Sequence, residues 1–383
     1  MECLILREIY LDNSATTKVC QQAVDKMIEI MTEKYGNPSS LHSKGHDAEK
    51  ELEEARKIIA DFLSVERETI YFTSGGTEGN NTAVFGAVEA LKRRGKRIVT
   101  SSMEHSSVIE AMQKLEKDGY EVIYLLPDEK GKISLESISN AVTKDTILVS
   151  IMAVNNEIGS INPVDKIKKI IEKANSPALL HVDAVQAFGK IPLKPKKWGI
   201  DILTASSHKI HGPKGAGILY LRKGARIMPL HYGGEQEKKI RPGTEPLPNI
   251  CGMGEAVRNL PDISGEMNFM RELNNYFRNK LNEIENVHIN SDTDCLPYII
   301  NFSVNGIKSE TMLHYMAQND IYISSGSACA KGKKSHVLRA LGLSDDLADS
   351  ALRVSFSRYN SKEDIDELIK AIINANNTLA RRK

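Results

Sequence analysis

The sequence of 383 residues has few cysteines and almost no net charge, and each shortage excludes a class of protein. Its five cysteines, which include none in a Cys-x-x-Cys pair, are Cys3, Cys20, Cys251, Cys295 and Cys329. A disulfide framework and a cysteine-based zinc site are therefore not expected. The formal net charge of +1 gives no electrostatic reason to expect nucleic acid or a membrane surface as the main partner.

Long hydrophobic runs are also missing from the sequence. No apolar stretch reaches the roughly 20 residues that a helix needs to span a bilayer. The first ten residues, MECLILREIY, place an arginine and two glutamates around a very short apolar core, which is a poor signal peptide. We therefore expect a cytoplasmic protein, and its length suggests two or three domains.

What the sequence does contain is a regular alternation of strand and helix patterns. Helical patterns separate six short apolar runs, which are RIVTSS, EVIYLL, TILVSIM, ALLHVD, ILTAS and GILYL. This alternation predicts an α/β fold with a mostly parallel sheet covered by helices on both faces. A break at NLPDISGE places the large domain at residues 15–260. The smaller α+β domain would then comprise residues 1–14 and 261–383, with Cys329 on a loop at about 324–335.

A glycine turn in the segment IYFTSGGTEGNN lies between a strand pattern and a helix pattern. The amides of Gly76 and Thr77 would lie at the helix N-terminus, where the helix dipole and unpaired N–H groups favour an anion. An ordinary strand-to-helix turn has the same pattern. The segment is not a nucleotide P-loop, because the lysine and hydroxyl of G-x-x-x-x-G-K-[ST] are absent.

Two later strand ends carry polar side chains. Asp183 and Gln186 lie at the end of the run ALLHVD, and Ser206, His208 and Lys209 lie at the end of ILTAS. Ligands bind at this edge of open α/β sheets, although a carboxylate there also serves as a helix cap and most lysines are simply solvated. Together with the anion-binding turn, these residues meet the needs of pyridoxal phosphate. That cofactor needs a lysine for a Schiff base, a carboxylate at the pyridine nitrogen and donors for its phosphate.

The sequence also resembles a known family over nearly its whole length. The motifs that carry the resemblance are YLDNSATT, YGNPSSLH, TSGGTEGNN, MEHSSV, VNNEIGSINPV, HVDAVQAFGK, SSHKIHGPKG, RPGTEPLP, SSGSACA, VLRALGL and ALRVSFSRYN. In these motifs the sequence is similar to cysteine desulfurases of the NifS/IscS type, which are class-V aminotransferase-like enzymes of fold type I. The resemblance implies a homodimer, a seven-stranded, mostly parallel sheet between helices in the large domain, and no metal.

The resemblance implies a cofactor role for each residue that matches a motif. Lys209 would bind pyridoxal phosphate as a Schiff base, Asp183 would pair with the ring nitrogen, and Gln186 would hydrogen-bond the ring hydroxyl. His105 would stack on the ring and count among the catalytic residues. The residues that would bind the phosphate are Gly76, Thr77, Ser206, His208 and, from the other subunit, Thr244.

The resemblance also implies the reaction. Asn156, which would border the cofactor as well, and Arg353 would hold the carboxylate of L-cysteine, a task that suits a guanidinium. Lys209 would remove the α-proton, and the thiolate of Cys329 would attack the substrate sulfur. The products would be L-alanine and a persulfide on Cys329. An acceptor protein would then take the sulfur for iron–sulfur cluster assembly or for thiolation of tRNA or a cofactor.

Two departures and two rival functions stay open. The chain reads HYGGEQE, with Glu235 after two glycines where relatives often carry three, and the lysine-rich segment after Cys329 is short. The second departure leaves the acceptor protein undetermined. A selenocysteine lyase or another fold type I enzyme, such as a transaminase, is one rival function, although a transaminase needs no loop cysteine. A non-catalytic scaffold for sulfur transfer is the other, and the presence of Lys209, Asp183 and Cys329 argues against it.

Overall fold

The computed structural model describes residues 8–325 and 335–380, so the predicted cysteine loop around Cys329 lies outside the described residues. Within the described part, the strands are β1 (Ile9–Tyr10), β2 (Ile70–Thr73), β3 (Arg97–Ser101), β4 (Glu121–Leu125), β5 (Thr146–Ser150), β6 (Leu179–Asp183), β7 (Ile202–Ser206), β8 (Gly217–Leu221), β9 (Val287–Ile289), β10 (Ile299–Val304), β11 (Ile321–Tyr322), β12 (Ser324–Ser325) and β13 (Ala351–Ser355). The α-helices are α1 (Gln21–Thr32), α2 (Ser43–Leu63), α3 (Gly76–Leu91), α4 (Ser106–Lys117), α5 (Leu135–Ala141), α6 (Val164–Lys173), α7 (Pro195–Trp198), α8 (Leu247–Arg258), α9 (Ile263–Asn282), α10 (Ser309–Gln318), α11 (His336–Ala340), α12 (Asp345–Asp349) and α13 (Lys362–Thr378).

The largest sheet has seven strands in the order β2-β8-β7-β6-β5-β3-β4. Strand β8 runs antiparallel to both of its neighbours, and the other pairings are parallel. Strands β5, β6, β7 and β8 are buried at every position, as expected for apolar runs that helices cover on both faces. The α/β prediction is confirmed, and each of the six apolar runs contains one of these strands.

Amphipathic helices cover this sheet. In α4 the buried residues Val108, Met112 and Leu115 are spaced four and three positions apart, so they share one face of the helix. The N-cap of α4 is His105, whose ring nitrogen Nδ1 accepts a hydrogen bond from the backbone N–H of Ser107 at 3.1 Å. The start of this helix therefore fixes the position of His105.

The remaining strands form two smaller sheets. One has four antiparallel strands in the order β12-β13-β10-β9, and the other pairs β1 with β11 in parallel. The second pairing joins the two parts of the chain that the sequence analysis placed in the small domain. The domain limits themselves stay a prediction. In the described residues no helix is long and apolar enough to cross a membrane.

Candidate active site

The carboxyl ends of two neighbouring strands bring Asp183 and Lys209 to the same edge of the large sheet. Strand β6 ends at Asp183, and the parallel strand β7 leads through a short 3-10 turn to Lys209. The amine Nζ of Lys209 donates to the backbone oxygens of Ser14 at 2.5 Å and Ala15 at 2.8 Å. Ligands bind at this edge in open α/β sheets, so the amine lies where the sequence analysis placed it.

A hydrogen-bond network links Asp183 to His105. The carboxylate of Asp183 is buried, and it accepts hydrogen bonds from Asn80 Nδ2 at 2.7 Å and from the backbone N–H of Val185 at 2.9 Å. Asn80 Nδ2 also lies 2.9 Å from Ser107 Oγ, which in turn lies 2.9 Å from Nδ1 of His105. Sequence analysis missed Asn80, which fixes the orientation of the carboxylate.

Both histidines of the predicted cofactor site have lowered pKa values. Burial lowers the pKa of His105, with the charge of Lys209 adding to this effect and the charge of Asp183 opposing it. Burial also lowers the pKa of His208 to about 4, and its Nδ1 lies 3.2 Å from Thr16 Oγ1. Both rings are therefore neutral at pH 7, and a neutral, flat His105 ring suits stacking on an aromatic cofactor.

The glycine turn and the end of β7 form a small anion cradle. Ser206 Oγ is buried and has no hydrogen-bond partner among the described residues. A Cβ on Gly75 would lie 3.7 Å from this oxygen, and a Cβ on Gly76 would lie 2.7 Å from Val185. A Cβ on Gly217 would lie 2.7 Å from Gly75, so the close approach of β8 requires glycine. The first turn of α3 adds N–H groups without intrahelical acceptors, and an anion satisfies such a set of donors.

These groups fit pyridoxal phosphate. The unpartnered hydroxyl of Ser206 and the start of α3 suit its phosphate, the Asp183 carboxylate suits its ring nitrogen, and Lys209 supplies the amine. Gln186 is buried beside them, and its Nε2 donates to the Ser14 oxygen at 3.0 Å. Within residues 8–325 and 335–380, no group of three or more His, Cys, Asp or Glu could hold a metal ion.

Arg353 and Asn156 lie together on the small-sheet side of the site. Arg353 is 5% exposed, and its Nη1 donates to the backbone oxygen of Asn156 at 2.9 Å. Its Nη2 forms an ion pair with Asp12 at 2.8 Å, while its Nε is buried without a partner in the described part of the chain. Sequence analysis missed Asp12, which holds one end of the guanidinium and leaves further N–H groups for a ligand carboxylate.

The residues that flank the cysteine segment lie beside this arginine. Strand β12, which ends at Ser325, pairs with β13, the strand that carries Arg353. At the other flank, Ser335 Oγ donates to Glu157 Oε2 at 2.6 Å, and both residues are buried. Burial raises the pKa of Glu157 to about 7, with Ser335 and Arg353 opposing the rise. Glu157 directly follows Asn156, so one turn contacts both Arg353 and the returning chain.

Two predicted phosphate residues are not enclosed by this chain. Thr77 is exposed at the start of α3, and Thr244 is exposed on the segment that precedes α8. That segment is tied to α3, because Arg241 Nε donates to Glu78 Oε1 at 3.0 Å. The role of Thr244 in a neighbouring subunit therefore stays a prediction.

The contacts that sequence reasoning missed lie inside motifs that it had singled out. Asp12 belongs to YLDNSATT, Asn80 to TSGGTEGNN and Glu157 to VNNEIGSINPV, while Lys190 ends HVDAVQAFGK. Membership of these motifs was the available signal. It marked the segments, but the partners of each side chain become apparent only in three dimensions.

Comparison with known proteins decides the family. A family profile described as Aminotransferase class-V matches residues 9–368. This chain belongs to the class-V aminotransferase family. Among curated members, "Cysteine desulfurase IscS" of Dictyoglomus turgidum is 39% identical over 98% of this chain and 97% of its own. "NifS/IcsS protein homolog" of Lactobacillus delbrueckii subsp. bulgaricus is 44% identical over 95% of this chain and 96% of its own.

A solved structure supports the same conclusion for the fold. The protein named "NIFS-LIKE PROTEIN" superposes with a TM-score of 0.93 at 37% identity, over 97% of this chain and all of its own. The predictions of fold type I and of pyridoxal phosphate as the cofactor are thereby confirmed.

Proposed function

We infer that this chain is a pyridoxal-phosphate-dependent cysteine desulfurase that converts L-cysteine to L-alanine and receives the sulfur on Cys329. The observation that carries the proposal is the role of residues 12–14, which hold both ends of the site. Asp12 forms an ion pair with Arg353, and the Ser14 oxygen accepts a hydrogen bond from the Lys209 amine. One short segment thus holds both an amine and a guanidinium that can bind a carboxylate, and this pair suits an α-amino acid. The family members named cysteine desulfurase support this choice of substrate.

The chain's own residues have separate tasks in this reaction. When bound, pyridoxal phosphate withdraws electrons from the α-carbon of the amino acid. Arg353, whose Nε is unpaired in the described structure, and Asn156 bind the substrate carboxylate. Lys209 Nζ takes the proton from the α-carbon. The neutral ring of His105 would stack on the cofactor ring, and Asp183, held by Asn80, would pair with the ring nitrogen.

The sulfur-accepting thiol is Cys329, which lies outside the described residues. It follows Ser325, on the strand that pairs with β13, by four positions, a span of at most about 14 Å. Burial raises the pKa of Cys251 to about 12 and that of Cys295 to about 11, so these thiols are protonated and weakly nucleophilic at neutral pH. The Cys329 thiolate attacks the substrate sulfur. A sulfur–sulfur bond forms as the carbon–sulfur bond breaks, and the carbon keeps the electron pair and gains a proton.

We also propose the finer features that the sequence suggested. The persulfide sulfur passes to an acceptor protein that serves iron–sulfur cluster assembly or the thiolation of tRNA or a cofactor. The enzyme is a cytoplasmic homodimer in which Thr244 of each subunit contacts the phosphate of the other. The exposure of Thr244 in a single chain supports such a contact.

Substitution of Cys329 tests the proposal. The Cys329→Ala and Cys329→Ser variants should keep the visible band of the bound cofactor and still change spectrum with cysteine, because Lys209, Asp183 and Arg353 are intact. Their alanine production should fall at least about a thousandfold, since an alcohol is not ionised at neutral pH. Cys251→Ala is the matched control and should keep parent activity.

The same preparations give two further readouts. Borohydride reduction of the loaded parent should fix the cofactor on Lys209, as mass mapping would reveal, and Lys209→Ala should produce no alanine. The proposal is wrong if the adduct maps to another lysine, if the persulfide maps to Cys3, Cys20, Cys251 or Cys295, or if Cys329→Ala produces alanine at the parent rate.

A further inference from the structure

Lys190 is a buried lysine that the proposed reaction does not use. It lies after β6 and is 7% exposed. The charge of Glu266 acts on it, but it forms no ion pair within 4.0 Å with a described residue. Its Nζ donates to Gln186 Oε1 at 3.2 Å and lies 5.6 Å from the centre of the Tyr298 ring. Lysines are almost never buried without a paired charge, and an apolar side chain of the same length would avoid the cost of desolvation. The position therefore requires another explanation.

The contacts of Lys190 lead directly to Lys209. Gln186 accepts from Lys190 through Oε1 and donates to the Ser14 oxygen at 3.0 Å through Nε2. The same Ser14 oxygen accepts from Lys209 Nζ at 2.5 Å. A protonated lysine can only donate, so Lys190 requires the oxygen of the Gln186 amide to face it and the NH2 group to face Ser14. A cavity of about 20 Å³, the size of one water, borders both lysines.

We propose that Lys190 is a positioning residue that fixes the orientation of the Gln186 amide and, through it, the protonation of the Lys209 nitrogen in the loaded enzyme. The inference rests on the proposed function, in which Lys209 binds the cofactor and Gln186 donates to the ring hydroxyl. Without Lys190 only the Ser14 oxygen orients the amide, so the rotation that presents its oxygen to the ring hydroxyl and Lys209 becomes less costly. An electron-rich oxygen there favours the proton on the Lys209 nitrogen.

The charge of Lys190 affects the protonation of Lys209 in the same direction as the orientation of the amide does. Burial and the charge of Lys209 lower the pKa of Lys190 to about 7, so each lysine disfavours the charge of the other. The titratable groups around Lys209 are His105 and His208, whose pKa values its charge lowers, and Asp183, whose charge opposes this effect at His105. Those near Lys190 are Glu266, Arg353, Arg358 and His211. Removal of the Lys190 amine leaves these groups in place and removes one cation, which also raises the affinity of the Lys209 nitrogen for a proton.

The test follows the visible absorbance of the loaded protein as a function of pH. In Lys190→Met the midpoint of the absorbance change should move upward by at least about 0.5 pH unit. Lys190→Arg keeps a donor and a charge, so its midpoint should lie above that of the parent by no more than about half of that shift. Lys194→Met, at an exposed lysine four residues further on, is the matched control and should not move it.

A double-mutant cycle tests whether Lys190 acts through Gln186. In a Gln186→Ala background, Lys190→Met should lose more than half of its effect on the midpoint, because the amide it orients is gone. Thermal unfolding at saturating cofactor gives a second readout. Lys190→Met should unfold at the same temperature as the parent or higher, since methionine fills the buried space without a charge. A lysine with a purely structural role would give the opposite result, a lower melting temperature and an unchanged midpoint.

The outcomes separate the inference from the proposed function. Suppose that the cofactor of the parent maps to Lys209. The inference alone is then overturned if Lys190→Met leaves the midpoint unchanged, or if Lys190→Met shifts the midpoint equally in the Gln186→Ala background. A parent protein whose cofactor maps to a different lysine overturns the proposed function and this inference with it. An upward shift that depends on Gln186 and is restored by arginine supports the inference.

Discussion

On the cofactor side of the site, Asp183 and Ser206 end neighbouring strands of one sheet, whereas on the substrate side Arg353 is held by partners 341 and 197 positions away in the chain. Sheet register fixes the first arrangement. The second depends on Asp12 and Asn156, which hydrogen bonds bring to one guanidinium. Two regions built so differently should fail in different ways, and their functions should be separable by substitution.

The regions differ in electrostatics as well. On the cofactor side burial leaves His105 and His208 neutral beside a carboxylate and an amine. On the substrate side a nearly buried cation, Arg353, is balanced by Asp12, while Glu157 nearby has a pKa of about 7. The first set suits an uncharged ring next to fixed counter-charges, and the second suits a ligand that brings its own negative charge.

The largest of the three effects that distinguish the regions is expected at Arg353. Arg353→Lys keeps the charge but loses the planar fork that contacts Asp12, Asn156 and a carboxylate together. The KM for cysteine should rise about 10- to 100-fold, because hydrogen bonds to charged groups contribute about 1.5–3 kcal/mol. The cofactor band should not change. The exposed Arg339, substituted by lysine, is the control and should leave KM unaltered. Loss of cofactor from Arg353→Lys would mean that the two regions are not separable.

A smaller effect, on the affinity for the cofactor rather than on the KM for cysteine, is expected at Ser206. Its buried hydroxyl has no partner in the described structure and lies beside Gly75, so Ser206→Ala removes one donor from the phosphate cradle. The dissociation constant for the cofactor should rise about tenfold, with the KM for cysteine unchanged at saturating cofactor. Ser207→Ala is the matched control, because the Ser207 hydroxyl is also buried and unpartnered but lies against Gly212. Equal effects of the two substitutions would contradict the assignment of the cradle.

The contrast between the regions also explains what could be predicted from sequence. Six strands and the positions of the residues at their ends, Asp183 and Lys209 among them, could be predicted because apolar runs and strand ends are local features of the chain. The pairing of Asp12 with Arg353 could not, since it depends on how β1 and β13 come together over 341 positions. The orientation of the Gln186 amide was equally inaccessible, because it is set by the donor on Lys190 and by the distant Ser14 oxygen. All residue roles carried over from the family resemblance remain predictions, those of Thr244 and Cys329 among them.

The smallest effect on turnover is expected at Glu104, which lies where the two regions meet. Its backbone oxygen lies 2.9 Å from His336 Nε2 on the substrate side, and it directly precedes His105 on the cofactor side. Its carboxyl is fully buried, with Oε1 accepting from Ser101 and Met152. Oε2 has no partner in the part of the chain that the structure describes. Burial raises the pKa of this carboxyl to about 8, which the hydrogen bonds to Oε1 oppose and the charge of Asp183 reinforces.

The raised pKa of Glu104 makes stability depend on pH in a defined direction. The carboxyl titrates near 4.5 in the unfolded chain and near 8 in the folded one, so between these values the unfolded state releases a proton that the folded state keeps. The free energy of unfolding of the parent should therefore fall as pH rises, with a contribution from this group on the order of 1 kcal/mol for each pH unit. Glu104→Gln removes this titration, so its stability relative to the parent should rise between pH 5 and pH 8 while kcat stays close to the parent value. Glu110→Gln, at an exposed carboxylate on α4, should follow the parent at every pH in urea unfolding. A stability difference between Glu104→Gln and the parent that stays constant across this range would mean that Glu104 is ionised in the folded protein, and that a buried charge lies between the two regions.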